Sequence, residues 1–289
     1  MTEAEIKRPD YHRQTVAATE CGVVAQPLSA WERIFNISAV RKVAILGVLA
    51  GIWQLYAVWL NNELLFPTFT STLWAFQHGI FEEDLLTRMF TSIKVLLVGY
   101  SVGLALAVLM TVIAMTSRIG TDLLETLTAM LNPLPAIALL PLALIWFGLG
   151  TGSLVFVLVH SVLWPVSLNT HSGFLAVSNT LRMVGRNYGL TGFSYVAKIL
   201  IPAAFPSILT GLKNGWAFAW RTLIAAELVF GVSSGTGGLG WFIYEKKNLL
   251  EIPYVFAGLF SVIVIGLFVE NFIFSTIERH TVRKWGMQQ

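Results

Sequence analysis

Charge is scarce in this chain. Only 12% of its 289 residues are Asp, Glu, Lys or Arg, against 55% hydrophobic residues and a mean hydropathy of +0.70. A soluble domain of that length could not bury so much apolar surface, so the composition places the chain in a bilayer. Cysteine is nearly absent as well: Cys21 stands alone in a polar tail, which excludes a disulfide framework and a cysteine metal site. No G-x-x-x-x-G-K-[ST] occurs, nor any Gly-Lys pair, so ATP and its magnesium, if they drive this protein, are bound by another subunit. H-E-x-x-H and C-x-x-C are also missing. His160 and His171 read as helix-packing or interfacial histidines rather than metal ligands. The first 42 residues hold no apolar run, which argues against a secretory signal and predicts a cytoplasmic N-terminal tail over residues 1–42. The net charge of +3 and pI near 9.0 do not imply nucleic acid, because no basic patch interleaves with exposed aromatics and membrane orientation accounts for the excess.

What is present is apolar length. A helix crosses a bilayer with about 20 apolar residues, and six stretches qualify: 43–60, 95–115, 123–147, 154–168, 205–232 and 252–277. They predict an all-α membrane protein, with one transmembrane domain over 43–289 and no soluble domain, tandem repeat or low-complexity tract. In the second stretch Gly99, Ser101, Gly103, Ala105 and Ala107 would let another helix approach closely. Six crossings return the C-terminus to the starting side. Of the 19 Lys and Arg residues, thirteen then fall on that side and four (Arg88, Lys94, Lys246, Lys247) on the other, while Lys213 and Arg221 lie inside the fifth stretch. The positive-inside rule makes the richer side cytoplasmic, with both termini there. Residues 61–87 read as an outer amphipathic connector.

Three motifs carry alternatives. "GTGGLG" (235–240) fits G-x-G-x-x-G, but it follows a membrane span instead of a strand, and a glycine turn at the outer surface explains it better than a dinucleotide site. "LNPLPAIALLPLALIWFGLG" carries Pro133, Pro135 and Pro141. Each removes a backbone donor, which lipid tolerates only beside other helices or a water-filled cavity. That helix either lines a pathway or is a kinked packing helix. Arg221 and Glu227 are ionisable groups in an apolar run, where such residues face a bundle interior or cavity. Their spacing turns them about 240° apart, so they form no same-face pair. A structural role is favoured for Glu227, with Lys213 as one possible partner, and both roles stay open for Arg221.

The segment "LRMVGRNYGLTGFSYVAKILIPAAFPSILTGLKNG" (181–215) is basic, amphipathic and punctuated by Gly189 and Gly192. Pro202 is expected to start or kink the helix that follows. Exposed apolar residues there suggest a docking surface, and an interfacial helix lying on headgroups is the alternative. The spacing from Gly189 through nine residues to Ile199 and Pro202 resembles the cytoplasmic loop of ABC-importer permeases. Met183, Val184 and Gly185 stand where that pattern has Glu-Ala-Ala, and Ile201 stands where it has Leu. With the proline-rich stretch, "PAAFPSILTGLKNGWAFAWRTLIAAELVFG", "GTGGLGWFI" and "TVRKWGM", the likeness covers roughly residues 66–287 and is similar to the nitrate/taurine/sulfonate/bicarbonate class. The resemblance implies a type I importer permease in a cell inner membrane, not itself an enzyme. It also implies partners: a second permease copy, two cytoplasmic ATPases, and a periplasmic or lipid-anchored binding protein. The ATPase-coupling loop would be about 176–203, with Arg186, Tyr188, Gly189, Phe193, Tyr195, Ile199 and Pro202. Candidate pathway residues would be Pro133, Pro135, Pro141, Trp146, Trp220, Arg221 and Glu227, and the cargo a small anion. A self-sufficient secondary transporter or channel is the contrasting reading; it would show an inverted hydropathy repeat, and none is evident.

Overall fold

The computed structural model describes residue 32 and residues 36–230 and 237–284. Cys21, most of the expected tail, the first two positions of the glycine motif and the end of "TVRKWGM" lie outside them. Internal contacts divide the chain into two units, Met1–Ile52 and Trp53–Gln289. The first unit holds the leading part of helix α1 (Ser38–Leu60), where Val43, Ile45, Leu46 and Leu49 are exposed and apolar, a surface suited to lipid contact.

The second unit begins within α1 and is helical, with no strand among its described residues. Trp53 donates from Nε1 to the Pro67 carbonyl (2.9 Å), and its ring meets Phe66, Phe69 and Phe256. Helix α2 (Phe69–Glu82) starts at Thr68, whose hydroxyl accepts the Ser71 amide at 3.1 Å as an N-cap. Then come α3 (Leu85–Thr116), α4 (Arg118–Leu131), a 3₁₀ turn (Ala136–Leu139), α5 (Leu140–Phe147) and α6 (Thr151–Leu175). Helices α7 (Asn179–Asn187) and α8 (Gly192–Tyr195) form a short hairpin, and a π-helical turn (Val196–Leu200) joins it to α9 (Ile201–Phe230). The chain continues through α10 (Leu239–Asn248), α11 (Ile252–Phe268) and α12 (Ser275–Glu278).

Helix α6 is central, packed along its length on α3 and α9. The small residues of α3 explain the first contact. Gly99, Gly103 and Ala107 recur every fourth position and are buried, whereas Ser101 and Ala105 are exposed. A Cβ on Gly99 would lie 2.6 Å from Leu158 Cβ, and one on Gly103 would lie 2.8 Å from Val162 Cβ, so the backbones meet only because side chains are missing. Leu96, Val157, Leu158, Val162, Ala219 and Leu223 fill the seam.

Among the described residues, five helical segments are long and apolar enough to cross a membrane: Ser38–Leu60, Leu85–Thr116, Thr151–Leu175, Gly192–Val229 and Ile252–Arg283. The third expected span is not one helix. It is the pair Arg118–Leu131 and Ala136–Phe147, bent by 88°, and counts as a sixth crossing only if the pair crosses as one. The reason is chemical: Pro133 and Pro135 withdraw two amides within three residues, and Pro135 takes an extended backbone (ψ 122). Pro202 behaves differently from expectation. It sits in the second position of α9 and neither starts nor breaks the run from Gly192 to Val229, because the π turn before it widens the helix locally.

Candidate functional site

The bend between α4 and α5 leaves a recess of about 360 Å³ against α6 and α9. The bend contributes Asn132, Pro133, Leu134 and Pro135; α6 contributes His160, Ser161, Trp164 and Pro165; α9 contributes Phe218, Arg221, Thr222 and Ala225. No acidic side chain lines it. Pro165, inside α6, removes the amide that would bond the Ser161 carbonyl one turn earlier, so the wall is irregular at its middle. Ser161 Oγ lies 3.0 Å from Thr222 Oγ1 and 3.2 Å from the Val157 carbonyl, tying α6 to α9. Trp164 is 5% exposed, yet its Nε1 has no hydrogen-bond partner, and the Nε2 of His160 one turn away also has none.

Arg221 is held by its own helix. Its Nε donates to the Ala217 carbonyl at 3.0 Å, and its guanidinium lies 5.1 Å from the Phe218 ring centroid. No carboxylate among the described residues pairs with it. The recess therefore holds a guanidinium and no carboxylate.

Of the expected pathway residues, Pro133, Pro135 and Arg221 line this recess and the other four do not. Pro141 occupies the first turn of α5, where no helical hydrogen bond is lost. Trp146 is largely exposed, edge-on to Phe156. Trp220 is buried and donates from Nε1 to the Val262 carbonyl (3.3 Å), a contact between α9 and α11.

Glu227 is 2% exposed and belongs to a different construction. Its carboxylate lies 2.8 and 2.9 Å from the Ser92 hydroxyl, which donates to it, and it accepts the Gly240 amide at 2.9 Å. Ser92 Oγ in turn accepts the Leu239 amide at 2.8 Å. A Cβ on Gly238 would collide with that carboxylate, and one on Gly240 would lie 2.6 Å from Glu227 Cβ. The glycines of "GTGGLG" thus admit a buried carboxylate that ties α9, α3 and the start of α10 together. Lys213 is not its partner: its Nζ pairs with Glu278 (2.8 Å) and Glu270 (3.7 Å). Beyond that turn, Lys246 donates to Glu83 (2.6 Å) and Glu251 (2.7 Å), pinning α10 to the end of α2. Burial alone would lower its pKa; the hydrogen bonds to Glu251 and Glu83 outweigh burial and raise it above the ordinary lysine value.

The α7–α8 hairpin is the second candidate feature. Helix α7 is capped by Ser178, which accepts the Leu181 amide (3.4 Å). It ends in a Schellman motif, with the Leu190 amide on the Gly185 carbonyl (3.1 Å) and the Gly189 amide on the Arg186 carbonyl (2.9 Å). Gly189 has φ of 72°, the left-handed conformation this motif requires. Gly185 is buried under Ile199 and Tyr195, and a Cβ there would lie 2.9 Å from Ile199 Cγ1, so an alanine at this position would require those side chains to shift. Arg182 donates to the Phe174 carbonyl in the last turn of α6 (2.5 Å) and to the Val177 carbonyl just beyond its end (3.0 Å). Arg186, Tyr188, Gly189 and Phe193 face outward, with Tyr188 82% and Phe193 84% exposed. Tyr195, Ile199 and Pro202 are partly buried, and Tyr195 packs into a small core with Phe174, Val177 and Leu200. The expected loop residues therefore divide into an outward set and an anchoring set.

Known proteins resemble this chain in sequence and in fold. A putative ABC transporter permease protein of Methanocaldococcus jannaschii is 31% identical over 80% of this chain and 87% of its own length. A nitrate import permease protein of Synechocystis is 29% identical over 83% of this chain and 88% of its own. A taurine transport system permease protein of Escherichia coli is 29% identical over 69% and 67%. A crystal structure of an amino acid ABC transporter with histidines superposes with a TM-score of 0.56 at 17% identity, covering 71% of this chain and 97% of that one, which supports the fold. The model of the binding-protein-dependent transport system inner membrane component family matches residues 99–284, a region that holds the recess, the hairpin and the Glu227 turn. The chain therefore belongs to that family of multi-pass inner-membrane transport components, a permease and not a catalytic subunit.

Proposed function

We propose that the chain is the translocation subunit of an ATP-driven importer of a small anion, working as two copies with two cytoplasmic ATPases and an external binding protein. The observation that carries this reading is the α7–α8 hairpin. Two large side chains, Tyr188 and Phe193, stand exposed on a backbone fixed by the Schellman turn, a surface suited to a covering partner. Arg182, Gly185 and Ile199 fasten the hairpin to α6 and α9, the two helices that wall the recess. A force applied to Tyr188 and Phe193 by a closing ATPase reaches the recess through those contacts. The anionic cargo is supported by the recess's unpaired Arg221, by the lack of lining carboxylates, and by relatives named for nitrate, sulfonate and taurine transport.

The test is co-purification and transport. Tyr188→Ala with Phe193→Ala should leave the chain folded in the membrane, lower ATPase retention on affinity purification at least tenfold, and abolish ATP-dependent uptake in proteoliposomes. Uptake that runs at full rate without any ATPase would establish the self-sufficient transporter instead.

A further inference from the structure

We propose that the basic face at the C-terminal end of the last described helix, formed by Arg279, Arg283 and Lys284, is a binding surface for anionic phospholipid headgroups. Helix α11 continues through a π turn (Val269–Phe274), α12 and a second π turn (Arg279–Arg283), so that Ile252–Arg283 is one helical segment of 32 residues. At 1.5 Å per residue it is about 48 Å long, against about 30 Å for the hydrocarbon of a bilayer. Its first turn follows directly on Glu251, which holds Lys246 together with Glu83, and this polar cluster seats that end at one membrane surface. No charged residue then follows before Glu270. The surplus of about 18 Å falls at the other end, within the headgroup layer and beyond it.

Exposed apolar side chains at Leu267, Phe268, Phe272, Ile273 and Ile277 suit lipid tails. Two residues later the surface turns basic. Arg279 and Arg283 are four apart, as are His280 and Lys284, so each pair shares a face, and all four are exposed. Glu278 and Val282, also four apart, turn to the protein instead. Val282 is 1% exposed in a cluster with Leu209, Val269 and Phe274, and Glu278 accepts from Lys213 of α9 at 2.8 Å. These contacts hold the helix so that its cations point away from the fold. Glu278 also lies 3.4 Å from Arg283, but its charge is already met by Lys213. Among the described residues no carboxylate pairs with Arg279 or Lys284. A guanidinium can hold two phosphate oxygens at once, and each basic residue near an anionic membrane surface strengthens attachment about fivefold. An occupant with apolar tails and an anionic head matches both the apolar stretch and the cations that follow it, whereas an acidic protein surface matches only the cations.

The experiment uses the full chain, purified in detergent micelles containing equal amounts of phosphatidylglycerol and phosphatidylcholine, with the lipids retained on it counted by native mass spectrometry. At least threefold more phosphatidylglycerol than phosphatidylcholine is expected. Arg279→Gln with Lys284→Gln removes two cations that make no ion pair in the fold and should bring the two lipids to near-equal retention, while Arg279→Lys, which keeps the charge, should preserve the preference. Lys198→Gln, which removes an exposed cation from the π turn before α9, should leave it unchanged. Equal retention by the parent chain overturns the proposal, as does a preference that survives the double variant. A preference lost equally in Lys198→Gln would show diffuse attraction to the whole basic side and overturns it too. An unchanged lipid preference with ATPase retention lost in the double variant would make this face a protein-docking surface instead. Importer function is read separately by the uptake assay, so a chain that imports with ATP and shows no lipid preference removes this site alone.

Discussion

Glu227 and its glycines give the clearest case of residue-level logic. A carboxylate 2% exposed is tolerated because Ser92 and the Gly240 amide donate to it, and Gly238 and Gly240 have no Cβ to fill its place. Glu227→Ala strands the Gly240 amide, and each buried group left unpaired costs about 1–3 kcal/mol. The expected result is a lower thermal midpoint of the purified chain, with Glu227→Gln intermediate because its amide oxygen still accepts. An alanine variant as stable as the parent would show that the turn is not held by this carboxylate. The glutamate was legible in the sequence as an intramembrane ionisable group, but its partner was not. Ser92 lies 135 positions away and carries no charge, and no helical spacing connects the two.

At the scale of elements, the α7–α8 hairpin shows how a short motif stores geometry. The nine-residue spacing from Gly189 to Ile199 places Ile199 over Gly185, while Gly189 closes α7 in the left-handed region. Gly189→Val forces a β-branched residue to φ of 72°, a strain of roughly 1–3 kcal/mol. Assembly with the ATPase is expected to survive, and the coupling between ATP hydrolysis and uptake to fall at least fivefold, measured as anion imported per ATP hydrolysed. An unchanged ratio would remove Gly189 from the coupling geometry. The bent pair α4–α5 is the element that apolar length left undecided, since apolar content alone cannot distinguish a continuous helix from one turned through 88° at two prolines.

At the scale of the whole molecule, that bend decides topology. If the pair Arg118–Leu131 and Ala136–Phe147 crosses the membrane, α7 lies on the same side as the N-terminal tail; if it only dips in, α7 lies on the opposite side. Cysteine accessibility separates the two cases. The native Cys21 reports the tail, and Arg186→Cys and Lys247→Cys, each built with Cys21→Ser, report exposed positions at the end of α7 and α10. A membrane-impermeant maleimide added to intact cells is expected to label Lys247→Cys alone. Labelling of Cys21 but not Arg186→Cys would show five crossings and a re-entrant pair.

The sequence by itself determined the class of this molecule: its apolar content demanded a bilayer, and the Gly189–Ile199–Pro202 spacing marked the segment that folds as the α7–α8 hairpin. These properties are carried by composition or by residues close in the chain, so local physics suffices to read them. Only the tertiary structure decided which of the candidate pathway residues meet. Arg221 was visible as an intramembrane charge, but Ser161, Trp164 and Thr222 look like ordinary apolar-helix residues until α6 and α9 pack face to face. Trp220, next to Arg221 in sequence, turns instead to α11. Successive helical residues point about 100° apart, and which of those directions meets a cavity depends on neighbours supplied by distant parts of the chain.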